Sequence, residues 1–205
     1  MESYQLLHLP PELSHIHIAL YTNVSNSAVL KKRLIAAASA EGEEGERERD
    51  AVNFAFIDAR LVRQITSLRL LKTAIYSATL AASQERLLTK TVHSEILWTL
   101  NPTNNISEAI RRYGVSETST SLVLVRVAGP ELSRSELQLA MGASIEGTVI
   151  PLERLGSLTD WTAVKKYHKL GNETALRGAT GLEEREHIII DEIVISSAAM
   201  KSVQA

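Results

Sequence analysis

Residues 91–127 read TVHSEILWTLNPTNNISEAIRRYGVSETSTSLVLVRV, and three elements follow from that stretch in order. Ser94 to Leu100 is apolar and too short for periodicity to separate helix from strand; helix is the preferred reading. Pro102 forces a break, because its ring removes a donor and clashes with the turn before it. Asn105 stands three residues ahead of Glu108, the spacing of a side-chain cap answered by a reciprocal carboxylate. Ile106, Ala109, Ile110 and Tyr113 recur at helical intervals, and Gly114 supplies a left-handed stop. Ser121 to Val127 is largely apolar, which predicts a strand buried at the centre of a sheet.

Upstream, Ile16, Ile18 and Leu20 alternate with His17, Ala19 and Tyr21, the pattern of a half-buried strand ending at Asn23. Ser25 or Asn26 can cap a helix on which Val29, Leu30, Ile35 and Ala38 recur near helical spacing, with Lys31, Lys32 and Arg33 between them, and which ends at Gly42. Glu41 to Asp50 (EGEEGERERD) holds no apolar residue, and such a stretch cannot offset its ordering entropy by burial. A mobile loop is therefore expected over 41–52. Asn53 to Ile57 reads as a second strand, running into a long helix from Asp58 to Ser83. On that helix Leu61, Ile65, Leu68, Leu71, Ile75, Ala78 and Ala82 fall within an arc of roughly 140°, a core-facing stripe. Arg60, Arg63 and Arg69 lie off it and should be solvated.

Downstream, Gly129-Pro130 ends the central strand, and Leu137, Ala140, Met141, Ser144 and Ile145 show helical spacing. Pro151 leads into a possible single turn. Asp160 caps a helix carrying Val164, Tyr167 and Leu170, closed by Gly171. A second polar, mobile stretch over 172–186 precedes a last strand, Ile188 to Ile195, and the chain frays from Met200. The expectation is one domain spanning 1–205, α/β or α+β, with one small sheet of about four or five strands packed with about six or seven helices.

Composition narrows the function classes. The 205 residues include no cysteine, which excludes a disulfide framework, a thiolate metal site and a cysteine nucleophile, and fits a reducing compartment. No apolar run approaches a bilayer-spanning length, and no secretory signal is expected. Net charge is −2, yet Arg60 to Arg112 carries a local +5 against −7 elsewhere. A positive middle on an acidic chain permits a phosphate-facing surface, although an ordinary solvated helix face has the same charge.

Catalytic apparatus is scarce. Gly42 and Gly45, or Gly178 and Gly181, sit in polar stretches without the strand–turn–helix context of a phosphate loop. His15 and His17 share one strand face as a candidate metal pair, but His8, His93, His168 and His187 are scattered and supply no third ligand by spacing. Asp58 and Asp160 read as helix caps, and Glu95 as a capping or buried hydrogen-bonded carboxylate ahead of a general base. No cofactor and no metal are expected. Trp98, Trp161, Tyr113 and Tyr167 lie on short helices, where aromatics serve as interface anchors or pack on the sheet. The residues alone describe a folded domain that binds a partner; an uncharacterised α/β enzyme and a stand-alone RNA-binding protein remain open alternatives.

The opening stretch carries a resemblance as well. Ser94-Glu95-Ile96, Pro102, Asn104 to Ala109, Arg111-Arg112 and Gly114 resemble the signature segment of the PRPK-binding protein (TPRKB-like) family, the small subunit of the KEOPS/EKC complex. Ile150 to Leu155, Ala163 to Tyr167 with Lys169-Leu170, and Phe56-Ile57-Asp58 agree in order and spacing. The resemblance implies a non-catalytic accessory subunit that binds the atypical kinase of that complex, promotes its ATPase, and supports threonylcarbamoyladenosine modification of tRNA. It further implies tRNA binding at the acceptor end, a tie to telomere maintenance, and residence in nucleus and cytoplasm.

On that reading Trp161, Val164, Tyr167 and Leu170 are the expected kinase contact, and Leu170→Arg should block association while leaving the fold intact. Arg63, Lys72, Lys90, Arg111 and Arg112 are the expected tRNA contact.

Overall fold

The computed structural model describes residues 1–62, 68–179 and 181–204. In chain order the regular elements are β1 (Glu2–Gln5), α1 (Pro11–Ser14), β2 (His15–Thr22), α2 (Ser27–Ser39), α3 (Gly42–Ala51) and β3 (Ala55–Asp58). There follow α4 (Arg69–Ser83), α5 (Val92–Leu100), α6 (Ile106–Tyr113), β4 (Leu122–Ala128), α7 (Arg134–Ser144) and β5 (Thr148–Ile150). The last are α8 (Trp161–Tyr167), α9 (Thr174–Arg177) and α10 (Glu183–Gln204), with 3-10 turns at Ala59–Leu61, Leu152–Leu158 and Leu170–Asn172. The fold is α+β, and every strand pairing is antiparallel.

β4 lies between β2 and β3, as its apolar composition predicts, with Ile18 opposite Val125 and Ile57 opposite Val123. β2 is covered on both faces, where alternation alone had suggested one. Ile16, Ile18 and Leu20 join Val123, Val125 and Val127 in a core shared with α4, α5 and α10. Ala19 and Tyr21 pack on the opposite face with Phe56, Leu124, Leu30, Leu137 and Met141. His17 and Ala19 interrupt the apolar run enough to mimic a solvated face. The outer edge of β2 is met by two separate segments, β5 opposite Leu20–Thr22 and β1 opposite His15–Ile18, neither of which the sequence reading had found.

Several expectations about local structure are corrected. The acidic stretch 41–52 is helical, forming an αα-hairpin with α2 across Gly42, whose φ is +72°. Arg33 pairs with Glu48 at 2.9 Å, and Arg49 donates to the Ala37 and Ala40 carbonyls, so Arg49 closes the free end of α2. Gly45 sits where a Cβ would come within 2.5 Å of the Ala40 carbonyl oxygen. Charge pairing and carbonyl capping thus stand in for the apolar burial that 41–50 lacks, and Val52 is buried just beyond.

In α2 itself Leu30 and Ala37 are buried while Val29 and Ile35 face outward. Asn26 does not cap that helix with its side chain; it joins the end of α7 instead, donating to the Ser144 carbonyl at 3.1 Å. The long helix expected from Asp58 begins at Arg69; Asp58 caps the 3-10 turn before it, accepting from the Arg60 amide at 3.0 Å. Ile65 and Arg63 lie outside the described residues. Leu71, Ile75 and Ala78 are buried as expected.

Residues 188–195 form no strand: they lie inside α10, and part of 172–186 is helical too. Ile190, Val194, Ala198 and Lys201 recur at helical spacing and are buried, whereas Ile188 is exposed. A β-branched run satisfies either period, and packing against α4 decides it. Glu183, Glu184 and Glu186 in the first turn favour the helix electrostatically. The tail expected to fray from Met200 continues that helix. Finally, Gly114 adopts no left-handed turn: a side chain there would strike the Ile110 carbonyl at 2.4 Å, so close approach explains the glycine. Lys169, not Gly171, takes the left-handed conformation after α8, with φ +56°.

Candidate functional site

The junction of α5, α6, α8 and α10 gathers most of the residues that the sequence singled out. α5 starts at Thr91, whose hydroxyl accepts from the Ser94 amide while Ser94 Oγ accepts from the Thr91 amide, both at 3.1 Å. The buried Glu95 carboxylate accepts from the Leu88 amide at 3.1 Å, the Thr89 amide at 2.9 Å and the Thr89 hydroxyl at 2.7 Å. It therefore shapes the connector carrying Lys90, in line with the hydrogen-bonded role expected of it.

Past Pro102 the chain turns on Asn101, whose amide nitrogen donates to Thr103 Oγ1 at 2.8 Å. Asn105 caps α6 by accepting from the Glu108 amide at 3.0 Å. Glu108 does not reciprocate. Its carboxylate accepts from the Thr103 hydroxyl and pairs with Arg112 at 2.6 Å and Arg111 at 3.9 Å. The Thr103 hydrogen bond, followed by Arg112, holds Glu108 below the usual carboxylate range.

Arg112 also lies 4.8 Å from the centre of the Tyr167 ring and reaches Asn101 Oδ1 at 3.4 Å. Beside it the Tyr113 hydroxyl and His168 Nε2 are hydrogen-bonded at 2.9 Å. These contacts tie α6 to α8. On the far side, Trp161 stacks on His187 at 3.7 Å and Lys165 pairs with Glu186, tying α8 to α10.

Lys201 of α10 completes the junction and was missed by the sequence reading. Its buried ammonium donates to the carbonyls of Trp98, Asn101 and Thr103 and lies 3.9 Å from the Trp98 ring centre. A cation there suits the negative end of α5. Burial pulls its pKa down to about 8, opposed by Glu95. Its place three residues after Ala198, on the Ile190–Val194–Ala198 stripe, was the signal available.

The expected kinase-contact residues divide. Val164 and Leu170 are only 2% and 5% exposed and belong to the core cluster. Of the four, Trp161 and Tyr167 alone offer surface, each being half-buried. The amphipathic stripe of α8 faces inward, which is why its apolar positions resembled a docking face. The expected tRNA-contact residues divide too. Lys72, Lys90 and Arg111 are exposed, with Lys72 Nζ 5.6 Å from the Tyr4 ring centre. The Arg112 side chain is 18% exposed against 77% for Arg111, and its guanidinium is engaged within the junction. Arg63 lies outside the described residues.

His15 and His17 do share a strand face, but each bonds a serine, His15 Nδ1 to Ser14 Oγ and His17 Nδ1 to Ser3 Oγ, both at 2.9 Å. Among the described residues no three metal-ligating side chains come together, and no helix is long and apolar enough to cross a membrane. The buried His93 accepts from the Val127 amide at 3.0 Å, closing β4 where β3 no longer pairs with it.

Fold and junction together define an α+β protein whose polar side chains lock four helices to one another and leave cations and half-buried aromatics at the surface. Residues 21–202 match the family described as kinase binding protein CGI-121, and the chain belongs to that family. The resemblance drawn from the residues around Ser94 to Gly114 is thereby confirmed. The chain is 34% identical to the EKC/KEOPS complex subunit CGI121 of Cryptococcus neoformans (strain JEC21) over 227 aligned positions, covering 96% of this chain and 99% of the relative. It is 34% identical to the protein of that name from Aspergillus fumigatus, over 83% of this chain and 84% of the relative. The Neurospora crassa protein of that name is 33% identical across 99% of both chains.

Proposed function

We infer that this protein is a non-catalytic accessory subunit of a KEOPS/EKC-type complex, binding its atypical kinase and supporting threonylcarbamoyladenosine modification of tRNA. The match to a kinase-binding family over residues 21–202 carries this reading, supported by relatives bearing that subunit name along nearly their whole length. The kinase meets the half-buried Trp161 and Tyr167 edge of α8, with Val164 and Leu170 holding that helix in place from beneath. Pull-down of the purified kinase, with its ATPase measured before and after this chain is added, tests the reading. Capture with stimulated turnover is expected; neither capture nor stimulation overturns it.

Binding of tRNA belongs to the same proposal. Arg111, Lys72 and Lys90 are exposed cations on α6, α4 and the connector between α4 and α5, and they face phosphates; Arg63, outside the described residues, belongs to the proposal by its charge alone. Unpaired bases at a single-stranded end are held by stacking and apolar contact, as RNA ends generally are. A part in telomere maintenance and residence in both nucleus and cytoplasm complete the proposal. Filter binding of tRNA across a salt series tests the RNA contact, and an affinity indifferent to Arg111 overturns it.

A further inference from the structure

The connector between α4 and α5 is largely exposed and yet held at both ends. At its start Glu85 takes the left-handed conformation, with φ +55°. Its amide donates to the Ala82 carbonyl at 3.1 Å, and the Arg86 amide donates to the Ala81 carbonyl at 2.8 Å. That crossed pair of bonds is a helix stop commonly built on glycine. At the far end a single oxygen of the Glu95 carboxylate accepts from the Leu88 amide, the Thr89 amide and the Thr89 hydroxyl. Ser94 Oγ lies 2.9 Å from Thr89 Oγ1 and completes the clamp.

Between these fixed ends Arg86, Leu88 and Lys90 are exposed, Leu88 at 59%. Glu85 is the one acid among residues 84–91. Among the described residues neither Arg86 nor Lys90 pairs with a carboxylate.

Glu95 is only 3% exposed, and burying a carboxylate is unfavourable unless hydrogen bonds offset its desolvation. Here those bonds go to a surface connector and remove its conformational freedom. A segment ordered in advance binds a partner without losing that entropy at the moment of contact. Two unpaired cations flanking an open apolar side chain suit a strand that offers phosphates and unstacked bases together.

We propose that this connector is a preorganised contact for single-stranded RNA. Arg86 and Lys90 meet phosphates, Leu88 lies against a base, and Glu95 is the positioning residue that holds them ready. It rests on the RNA contact of the proposed function and adds Arg86, Leu88 and Glu95 to it.

Binding of a short unstructured RNA oligonucleotide to the full chain is followed by fluorescence anisotropy across a salt series. Removing an acid near two cations strengthens polyanion binding where charge alone governs. Positioning requires the opposite sign. Glu95→Ala is expected to bind about tenfold more weakly, through the entropy of the released connector, with a salt slope smaller by up to about 1.4 for two single-strand phosphate contacts. Glu95→Gln keeps an acceptor oxygen and is expected to bind at least as well as the wild type. Lys90→Ala should weaken binding in the wild type and add little in the Glu95→Ala chain. If Glu95→Ala loses its cooperative melt, Thr89→Val, which removes one of the three bonds, is read in its place with the same sign.

Affinity in Glu95→Ala and Thr89→Val equal to or above that of the wild type overturns the positioning and leaves the RNA contact standing. A wild-type chain that binds no RNA overturns both. Polyglutamate competing as well as RNA, at equal charge, overturns RNA as the occupant.

Discussion

The Lys201 ammonium lies 3.9 Å from the centre of the Trp98 ring, at the point where α10 meets the C-terminal end of α5. One charged group thereby donates to three backbone carbonyls, those of Trp98, Asn101 and Thr103, at the turn that ends α5. Lys201→Ala removes the donor these three carbonyls share, although Trp98 and Thr103 keep a bond each from Asn101, and should cost about 1–3 kcal/mol of stability in urea unfolding. A loss below a few tenths would show that water replaces the ammonium.

Leu170→Arg places a charge in the core, not at a partner's surface. It should destabilise the isolated chain by more than about 3 kcal/mol, so that loss of kinase binding accompanies loss of fold. Trp161→Ala and Tyr167→Ala remove the half-buried edge of α8 and should reduce kinase capture while each variant keeps a cooperative, somewhat lowered circular dichroism melt. Undiminished capture by the Trp161→Ala, Tyr167→Ala pair would move the contact off α8.

Arg111 and Arg112 are adjacent in sequence and unlike in role. Arg111→Glu should lower tRNA affinity and reduce the salt slope by about 0.7–0.9, the value of one phosphate contact. Arg112→Glu should chiefly weaken the α6–α8 joint through loss of Glu108, Asn101 and the Tyr167 ring, seen as a lower melting temperature without RNA. Equal effects of the two on both measurements would contradict this division.

Acid should unfold the protein through its buried imidazoles. Burial, aided by the Arg126 charge, pulls His93 from its ordinary 6.5 down to about 3. The unfolded chain therefore binds the extra proton first, and stability falls as pH drops from about 6.5 toward 3, by up to about 1.4 kcal/mol per pH unit. His17, also held low by burial, acts with the same sign. Urea midpoints between pH 4 and 7 measure the slope, and His93→Gln should flatten it.

What the sequence made legible was local or strongly patterned. α6 announces itself through Asn105, Ala109 and Tyr113, and β4 through an apolar run that only a central strand accommodates. Features settled at a distance were not legible. α3 has Ala51, its last residue, as its sole apolar side chain, and its helix depends on Arg49 reaching the end of α2 and on Arg33 pairing with Glu48. Ile188–Ile195 fits a strand or a helix equally well until α4 packs against it. For the candidate site, Arg111 and Lys90 could be read as solvated cations, but nothing local distinguishes Arg112, bound over Tyr167, from its neighbour. Likewise Val164 and Leu170 form an apolar stripe whose direction, inward or toward a partner, periodicity cannot report.

The outer margin of β2 is assembled from three residues of β5 and four of β1, segments at opposite parts of the chain. An uninterrupted margin of that total length would be a template for another polypeptide to pair with. Broken near Ala19 and bearing Glu2 on one piece, it offers no continuous row of amides and carbonyls. The fold thus carries its own guard against sheet-to-sheet polymerisation, and a variant that fused the two pieces into one strand would be prone to form fibres.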